Sequence, residues 1–294
     1  FLQTGDHVIS SRSLFGTTVG FINNIVTKFG IEVSHVSPTD VDEWKAAVKA
    51  NTKLLFLETP SNPLGEVADL EALAELAHSI GALLVVDNSL LSPVGSQPLK
   101  HGADISVSSA TKSIDGHGRV MGGVLAGSEE LMTQVAMYCN SCGLAMSPFN
   151  AWQLLSGVET LSLRLEKQFD NALKIAQWLR TQPQVQAVYY TGLPDHPQAE
   201  LIRKQQNGGG IVVGFEVADQ EAAWKVVDSV ELFSRTANLG DVRSTITHPW
   251  TTTHGRMQPE EKLAANIRPG LVRLSVGLEY VDDLIDDLKQ ALAR

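Results

Sequence analysis

Cysteine is scarce in this sequence: there are two, and both fall in Cys139-Asn140-Ser141-Cys142. Such a pair reads as a redox dithiol or as half of a zinc site. A zinc centre needs a second ligand pair at suitable spacing, and the sequence offers none. The expectation is two ordinary thiols in a reducing cytoplasm, and no metal. Long apolar runs are lacking too. No stretch approaches the roughly 20 residues that span a bilayer, and nothing reads as a signal peptide. Positive charge is in deficit, with 23 Lys and Arg against 33 Asp and Glu and a formal charge of −10. Nucleic-acid phosphates are held by clustered Lys and Arg, so a general nucleic-acid surface is excluded. A small anionic ligand remains open, because one local site decides it. An initial Met is also lacking. Phe1-Leu2-Gln3-Thr4-Gly5-Asp6 reads as the end of a helix with its glycine stop. The chain is therefore expected to begin inside a fold, with N-terminal residues missing.

What is present suits a large core: 294 residues, of which 43% are hydrophobic, make one large domain or two smaller ones. There is no internal repeat and no low-complexity segment. The first half alternates short apolar runs with helical spacing. Val8-Ile9-Ser10, Lys53 to Leu57, Ala82 to Val86, Ile105 to Ser108 and Gly123 to Ala126 read as strands. Asp69 is placed to cap a helix through Leu70, Leu73, Leu76 and Ala77, which Gly81 stops. This rhythm predicts right-handed crossovers and a mostly parallel sheet covered on both faces. Ligands of such sheets bind beyond the carboxyl ends of the strands. Asn62, Asp87 and Lys112 each follow a strand candidate, so three polar groups of different chemistry converge on one edge.

A helical region runs from about Pro148 to Leu179. Beyond it, Ile211 to Val217 and Leu271 to Val276 read as strands, and Glu221 to Val230 and Val281 to Leu292 as helices. Few strands there look fully buried. The pattern predicts a large domain over residues 1–163 and a smaller α+β domain over 164–294.

Ser108-Ser109-Ala110-Thr111-Lys112 sets two hydroxyls beside a lysine at a strand end. Hydroxyls and backbone N–H groups hold phosphate dianions, and a neighbouring amine forms an imine with an aldehyde on the same ligand. Alone, the segment also reads as a solvated loop. Asp87 changes the balance, because a carboxylate ending a five-residue apolar strand is costly to bury unpaired. A protonated pyridine nitrogen is one natural partner, and a cationic ring is an electron sink. A helix cap or turn is the plainer role for Asp87. Phe15 could stack on a flat ring, or simply fill a core. Arg273, inside the apolar run Leu271 to Val276, requires an anionic partner: a ligand carboxylate or a structural Asp or Glu.

Together these segments resemble the Cys/Met-metabolism family of pyridoxal-5′-phosphate (PLP) enzymes. This fold-type I group contains cystathionine γ-synthase, cystathionine lyases, methionine γ-lyase and the homoserine-ester sulfhydrylases. The resemblance covers essentially the whole chain. It rests on Glu58-Thr59-Pro60-Ser61-Asn62-Pro63, Val86-Asp87-Asn88-Ser89, Ser109-Ala110-Thr111-Lys112, Gly116-His117-Gly118, Ser147-Pro148-Phe149, His248-Pro249 and Arg273-Leu274-Ser275-Val276-Gly277. It implies a PLP-dependent transferase fold. It implies Lys112 as Schiff-base lysine and proton shuttle, Asp87 on the pyridine nitrogen, and Ser109 and Thr111 on the phosphate. Asn62 would bond the cofactor's phenolic oxygen, Phe15 would stack on the ring, Arg273 would anchor the substrate carboxylate, and Asn238-Leu239 would help hold it. A homotetramer acting on small molecules is also implied.

Departures narrow the activity. Many relatives carry tyrosine where this chain has Phe15, and the missing hydroxyl disfavours a lyase. Asn238 to Pro249, with Thr251 to Arg256, most resembles the sulfhydrylase members that use O-succinylhomoserine. The expected reaction is γ-replacement on O-succinyl-L-homoserine by sulfide, giving L-homocysteine. Alternatives are cystathionine γ-synthase, an O-acetylhomoserine donor, methionine γ-lyase and a cofactor-binding fragment without turnover. Arg243 stands where several relatives carry Glu; it reads equally as a site for an anionic succinyl group or as a surface arginine. Trp250 replaces a usually small residue. The family's N-terminal part, with its phosphate-binding turn and Tyr/Arg pair, is not in this sequence.

Overall fold

The computed structural model of the chain describes residues 1–294, the side chain of Ala264 excepted. Six strands make the first sheet: β1 (His7–Ser11), β2 (Glu32–Val36), β3 (Thr52–Glu58), β4 (Leu83–Asp87), β5 (Ile105–Ser109) and β6 (Gly123–Gly127). Their order is β2-β1-β3-β4-β5-β6. The first five run parallel, and β6 returns antiparallel beside β5. The chain passes from β1 to β2 on one side and then to β3 on the other. Ligand crevices open beyond the carboxyl ends of the strands of such sheets. Ile9, Leu55, Leu57, Leu84 and Val86 are buried at the centre of this sheet, with Trp44, Leu70 and Leu73 packed over them from the helices. Asp69 caps the helix Leu70–Ser79 through a bond from Ala72 N.

The helical region expected from Pro148 to Leu179 is two helices, Pro148–Val158 and Leu161–Leu179. The second is shared by two cores. Leu161 and Leu165 pack with Ala110 and Ile114 beside the end of β5. Farther on, Ala172, Ile175, Ala176 and Leu179 pack into the C-terminal core.

That core lies against a second sheet. Its strands are β7 (Ala187–Tyr189), β8 (Val212–Glu216), β9 (Ser234–Arg235), β10 (Thr245–Thr247) and β11 (Leu271–Ser275). Their order is β7-β8-β11-β10-β9, antiparallel except for β9 with β10. The helices Gln220–Ser229 and Val281–Leu292 cover it with Ala223, Val226, Leu284 and Leu288.

One expectation is corrected here. Few C-terminal strands looked fully buried, yet every residue of β11 is buried. Strand side chains alternate between faces. Val272 and Leu274 enter the C-terminal core. Leu271 packs instead with Leu64 and Ile267, and Arg273 turns toward Asn62. Both faces are covered, and the polar residues on one of them disguised the burial.

Helix capping supplies a measurable check on the first sheet. Replacing Asp69 with Ala removes the acceptor for Ala72 N, and should cost about 1 kcal/mol of unfolding free energy in urea titration. Asp69→Asn should restore most of it. Equal midpoints for Asp69→Ala and the parent would refute the assigned cap.

Candidate active site

β3, β4 and β5 end side by side, and the loops leaving them bring the candidate residues together. After β5 the chain enters a distorted helical turn, Ala110–Ile114, in which Lys112 has non-helical angles (φ −88°, ψ −127°). The turn is wedged against Gly240 (φ +86°): a Cβ there would lie 2.7 Å from Ser113 N and 2.9 Å from Lys112 Cβ. Only a glycine permits that approach. It brings the segment 238–240 against the lysine, whose Nζ donates to Asn238 Oδ1 at 2.8 Å. Burial lowers the Lys112 pKa, and the positive charge of Arg273 lowers it further.

Arg273 is 1% exposed. Its Nη2 donates to Ala237 O at 2.8 Å and to Asn238 O at 3.1 Å. Nη1 reaches Asn62 Oδ1 at 3.5 Å, and Nε is buried with no partner. Burial pulls its pKa down to about 10. Carbonyl dipoles and one amide do not neutralise a guanidinium, so the site accommodates an anion. Asn238 thus links the two cations, its side chain to Lys112 and its carbonyl to Arg273. Leu239 beside it is buried.

Asn62 lies in the loop after β3, which turns through cis Thr59-Pro60 and Asn62-Pro63 bonds. Asp87, the last residue of β4, takes two hydrogen bonds on Oδ1, from Ser89 N at 2.9 Å and Ser89 Oγ at 2.6 Å. Burial still outweighs them and raises its pKa. Ser89 Oγ also accepts from Ser109 N at 2.7 Å, tying the ends of β4 and β5 together. The Thr111 hydroxyl is committed to Gly122, accepting from its N–H at 3.0 Å and donating to its O at 3.3 Å. Phe15 starts the helix Gly16–Asn24 with its ring half exposed.

Sequence reasoning assigned no role to Glu58. It ends β3 directly beside Asp87 in the sheet register, is 5% exposed, and accepts from Phe15 N at 2.8 Å. Burial and then the Asp87 charge push its pKa up to about 8. The signal was available: a second carboxylate closes a second apolar strand at the same level. His254 was likewise missed. Its pKa is pushed down to about 4 by burial, then by Arg273 and Lys262, which keeps the imidazole neutral.

Two other residues find plain settings. Arg243 forms a two-point ion pair with Asp241, Nε–Oδ1 3.0 Å and Nη2–Oδ2 2.9 Å. Its side chain is otherwise exposed. Trp250 receives Lys262, whose Nζ sits 4.7 Å from the ring centroid and donates to Trp250 O at 2.9 Å. Cys139 and Cys142 are free. Among the described residues no cluster of three or more metal-ligating side chains occurs, and no helix is long and apolar enough to cross a membrane.

At this strand edge a lysine of lowered pKa, a buried carboxylate beside a second carboxyl, and a buried arginine with no carboxylate partner are gathered. A family model described as Cys/Met metabolism PLP-dependent enzyme matches residues 1–293. The chain is 50% identical to an O-succinylhomoserine sulfhydrylase of Pseudomonas aeruginosa strain PAO1, over 99% of this chain and 72% of that protein. It is 40% identical to an L-methionine gamma-lyase of Fusobacterium nucleatum subsp. polymorphum, over 100% of this chain and 75% of that one. A crystal structure of cystathionine gamma-lyase from Lactobacillus plantarum, complexed with L-serine, superposes with a TM-score of 0.95 at 33% identity, covering 99% of this chain and 77% of that one. The chain therefore belongs to the Cys/Met metabolism family of PLP-dependent enzymes.

Glu58 gives the pocket a signature in stability. Its folded pKa of about 8 exceeds the unfolded value of 4.5. The folded state then holds a proton that the unfolded state releases, so stability falls as pH rises from about 4.5 to about 8. Glu58→Gln lacks that proton, so the variant should gain on the parent across this window in thermal melts. A constant difference would show that Glu58 is ionised in the fold.

Proposed function

We propose that this enzyme replaces the γ-substituent of O-succinyl-L-homoserine with sulfide, releasing succinate and L-homocysteine. The observation behind this reading is the Lys112–Asn238–Arg273 connection, which sets a depressed amine beside a buried, un-neutralised guanidinium. An α-amino acid fits that pair, with its carboxylate on Arg273 and its reacting carbons near Lys112. The succinyl donor is supported by the 50% identity to a protein of that name. Arg243, committed to Asp241, lends the donor no support.

The residues present suit PLP. Asp87 keeps Oδ2 clear of its Ser89 bonds and would hold the pyridinium nitrogen; Ser109 would hold the phosphate, joined by Thr111 once its hydroxyl turns from Gly122, with Asn62 on the phenolic oxygen and Phe15 on the ring face. When bound, PLP supplies an electrophilic carbon for amines and a sink for electrons released at Cα. Burial and Arg273 leave the Lys112 amine unprotonated more readily than an exposed lysine, so it can accept the protons leaving Cα and Cβ and return them there once sulfide has added at Cγ. Asn238 Oδ1 aims Nζ, and Arg273 fixes the carboxylate end of the chain. Phe15 has no hydroxyl to donate to a leaving thiol, which favours replacement over elimination.

We further propose a homotetramer in a reducing cytoplasm. Val124, Leu125, Met137, Tyr138, Phe149 and Trp152 leave a broad apolar face exposed around β6 and the two helices after it, and a second copy is a fitting cover. The free thiols suit that compartment.

Lys112→Ala should abolish the visible absorbance of lysine-bound cofactor and all turnover; an unchanged spectrum would reject the lysine. With full-length protein, sulfide and cysteine offered side by side against succinyl and acetyl esters should yield homocysteine chiefly from the succinyl ester. Cystathionine as main product would reassign the nucleophile. Light scattering should give four subunits, and a monomer would reject the assembly.

A further inference from the structure

The long helix Leu161–Leu179 carries three buried polar residues, Arg164, Gln168 and Asn171, at 6%, 0% and 0% exposure. The spacing i, i+4, i+7 puts them in one stripe, spanning roughly 10 Å along the axis. Their long-range donors all reach main-chain carbonyls of other segments. Arg164 Nη1 donates to Ser113 O at 2.8 Å; its Nη2 donates to Ile114 O at 3.2 Å and Gly157 O at 2.7 Å. Gln168 Nε2 donates to Asp241 O at 2.9 Å and Val276 O at 2.8 Å. Asn171 Nδ2 donates to Gly277 O and Glu279 O, both at 3.0 Å.

Apart from Gly157 in the preceding helix, the gripped segments are those that follow Lys112, follow Asn238-Leu239 and follow Arg273. Stability alone does not account for this choice. Gln168 Oε1 and Asn171 Oδ1 are buried without partners, and such atoms cost stability where an apolar side chain would not. Arg164 meets carbonyls rather than a carboxylate, and burial lowers its pKa. The fit is tight: a Cβ on Gly116 (φ +69°) would fall 2.2 Å from Arg164 Nη1. What directional bonds supply and apolar packing does not is register.

We infer that the Arg164–Gln168–Asn171 stripe sets the placement of Lys112 relative to Arg273, and that these are positioning residues of the reaction. The inference rests on the roles proposed above for Lys112 and Arg273. Arg164 holds the lysine turn; Gln168 holds Asn238's loop to the end of β11. Each arm therefore has its own readout.

The test uses the full-length holoenzyme. Gln168→Met keeps the length and buried volume but removes both donors, together with the unpartnered Oε1. Its thermal midpoint should stay within a few degrees of the parent, while kcat/KM for the homoserine ester falls at least tenfold, mostly through KM. Parental kcat/KM would overturn the inference. Arg164→Lys, read without substrate, should move the pH midpoint of the lysine-bound cofactor band upward by about one unit as the turn loosens. If that variant does not fold, Thr160→Val removes the acceptor that Arg164 Nε uses at 3.1 Å and should shift the midpoint in the same direction. An unmoved midpoint in the variant that folds would overturn the inference. Failure of the Lys112 assignment is seen separately, as a band that survives Lys112→Ala.

Discussion

A guanidinium buried without a carboxylate is the constraint on which the site depends. Arg273 sits on the central strand of the C-terminal sheet, and its contacts are two carbonyl oxygens and the Asn62 amide. Burying such a charge is tolerable only if dipoles are fixed around it and an anion is available. The fixed dipoles come from Ala237 and Asn238, so the loop 237–241 is bound to the arginine. The same loop closes on the lysine turn through Gly240, and its Asn238 side chain holds Nζ. This loop is thus one place where the ends of the first sheet's strands meet the C-terminal sheet, and the candidate residues lie there.

The opposite side of the pocket has the reverse sign. Glu58 and Asp87 end adjacent parallel strands, so their carboxyls are neighbours by register. Two like charges in a buried place do not both ionise readily. Ser89 gives both of its hydrogen bonds to Asp87, and Glu58 receives one, from Phe15 N. That asymmetry assigns the charge to Asp87 and the proton to Glu58. Asp87 can then remain the single anion facing a cationic ring, while Glu58 fixes the start of the segment that carries Phe15.

Much of this was legible in the sequence. Apolar runs ending in Asp87 and at Ser109 located β4 and β5, and the motif resemblance supplied the family. β2, β7, β9 and β10 were not legible. Glu32-Val33-Ser34-His35-Val36 is largely polar and lies at a sheet edge, and Ser234-Arg235 is two exposed residues. Their strand character comes from pairing, not from composition. At the site, single residues with unusual burial were visible, as with Asp87 and Arg273. Relations between distant segments were not. Glu58 holds its proton because the folded chain buries it and sets Asp87 beside it, and Arg164, Gln168 and Asn171 look like the polar face of a surface helix until two cores close over them.

The two cations also set a sequence of events. Without ligand, burial first and the Arg273 charge second lower the proton affinity of Lys112. Charges a few ångströms apart at a partly buried site couple by a few kcal/mol, with an effective dielectric of about 20. An amino acid whose carboxylate lands on Arg273 cancels much of that field. On the roles proposed above, Lys112 would be a weaker base before substrate is held and a stronger one afterwards. On that reading its affinity for a proton rises when the Cα proton arrives within reach. On the roles proposed for Arg273 and Lys112, one buried charge would supply both the carboxylate grip and the timing of the base, which is a reason for the arginine's place on this strand.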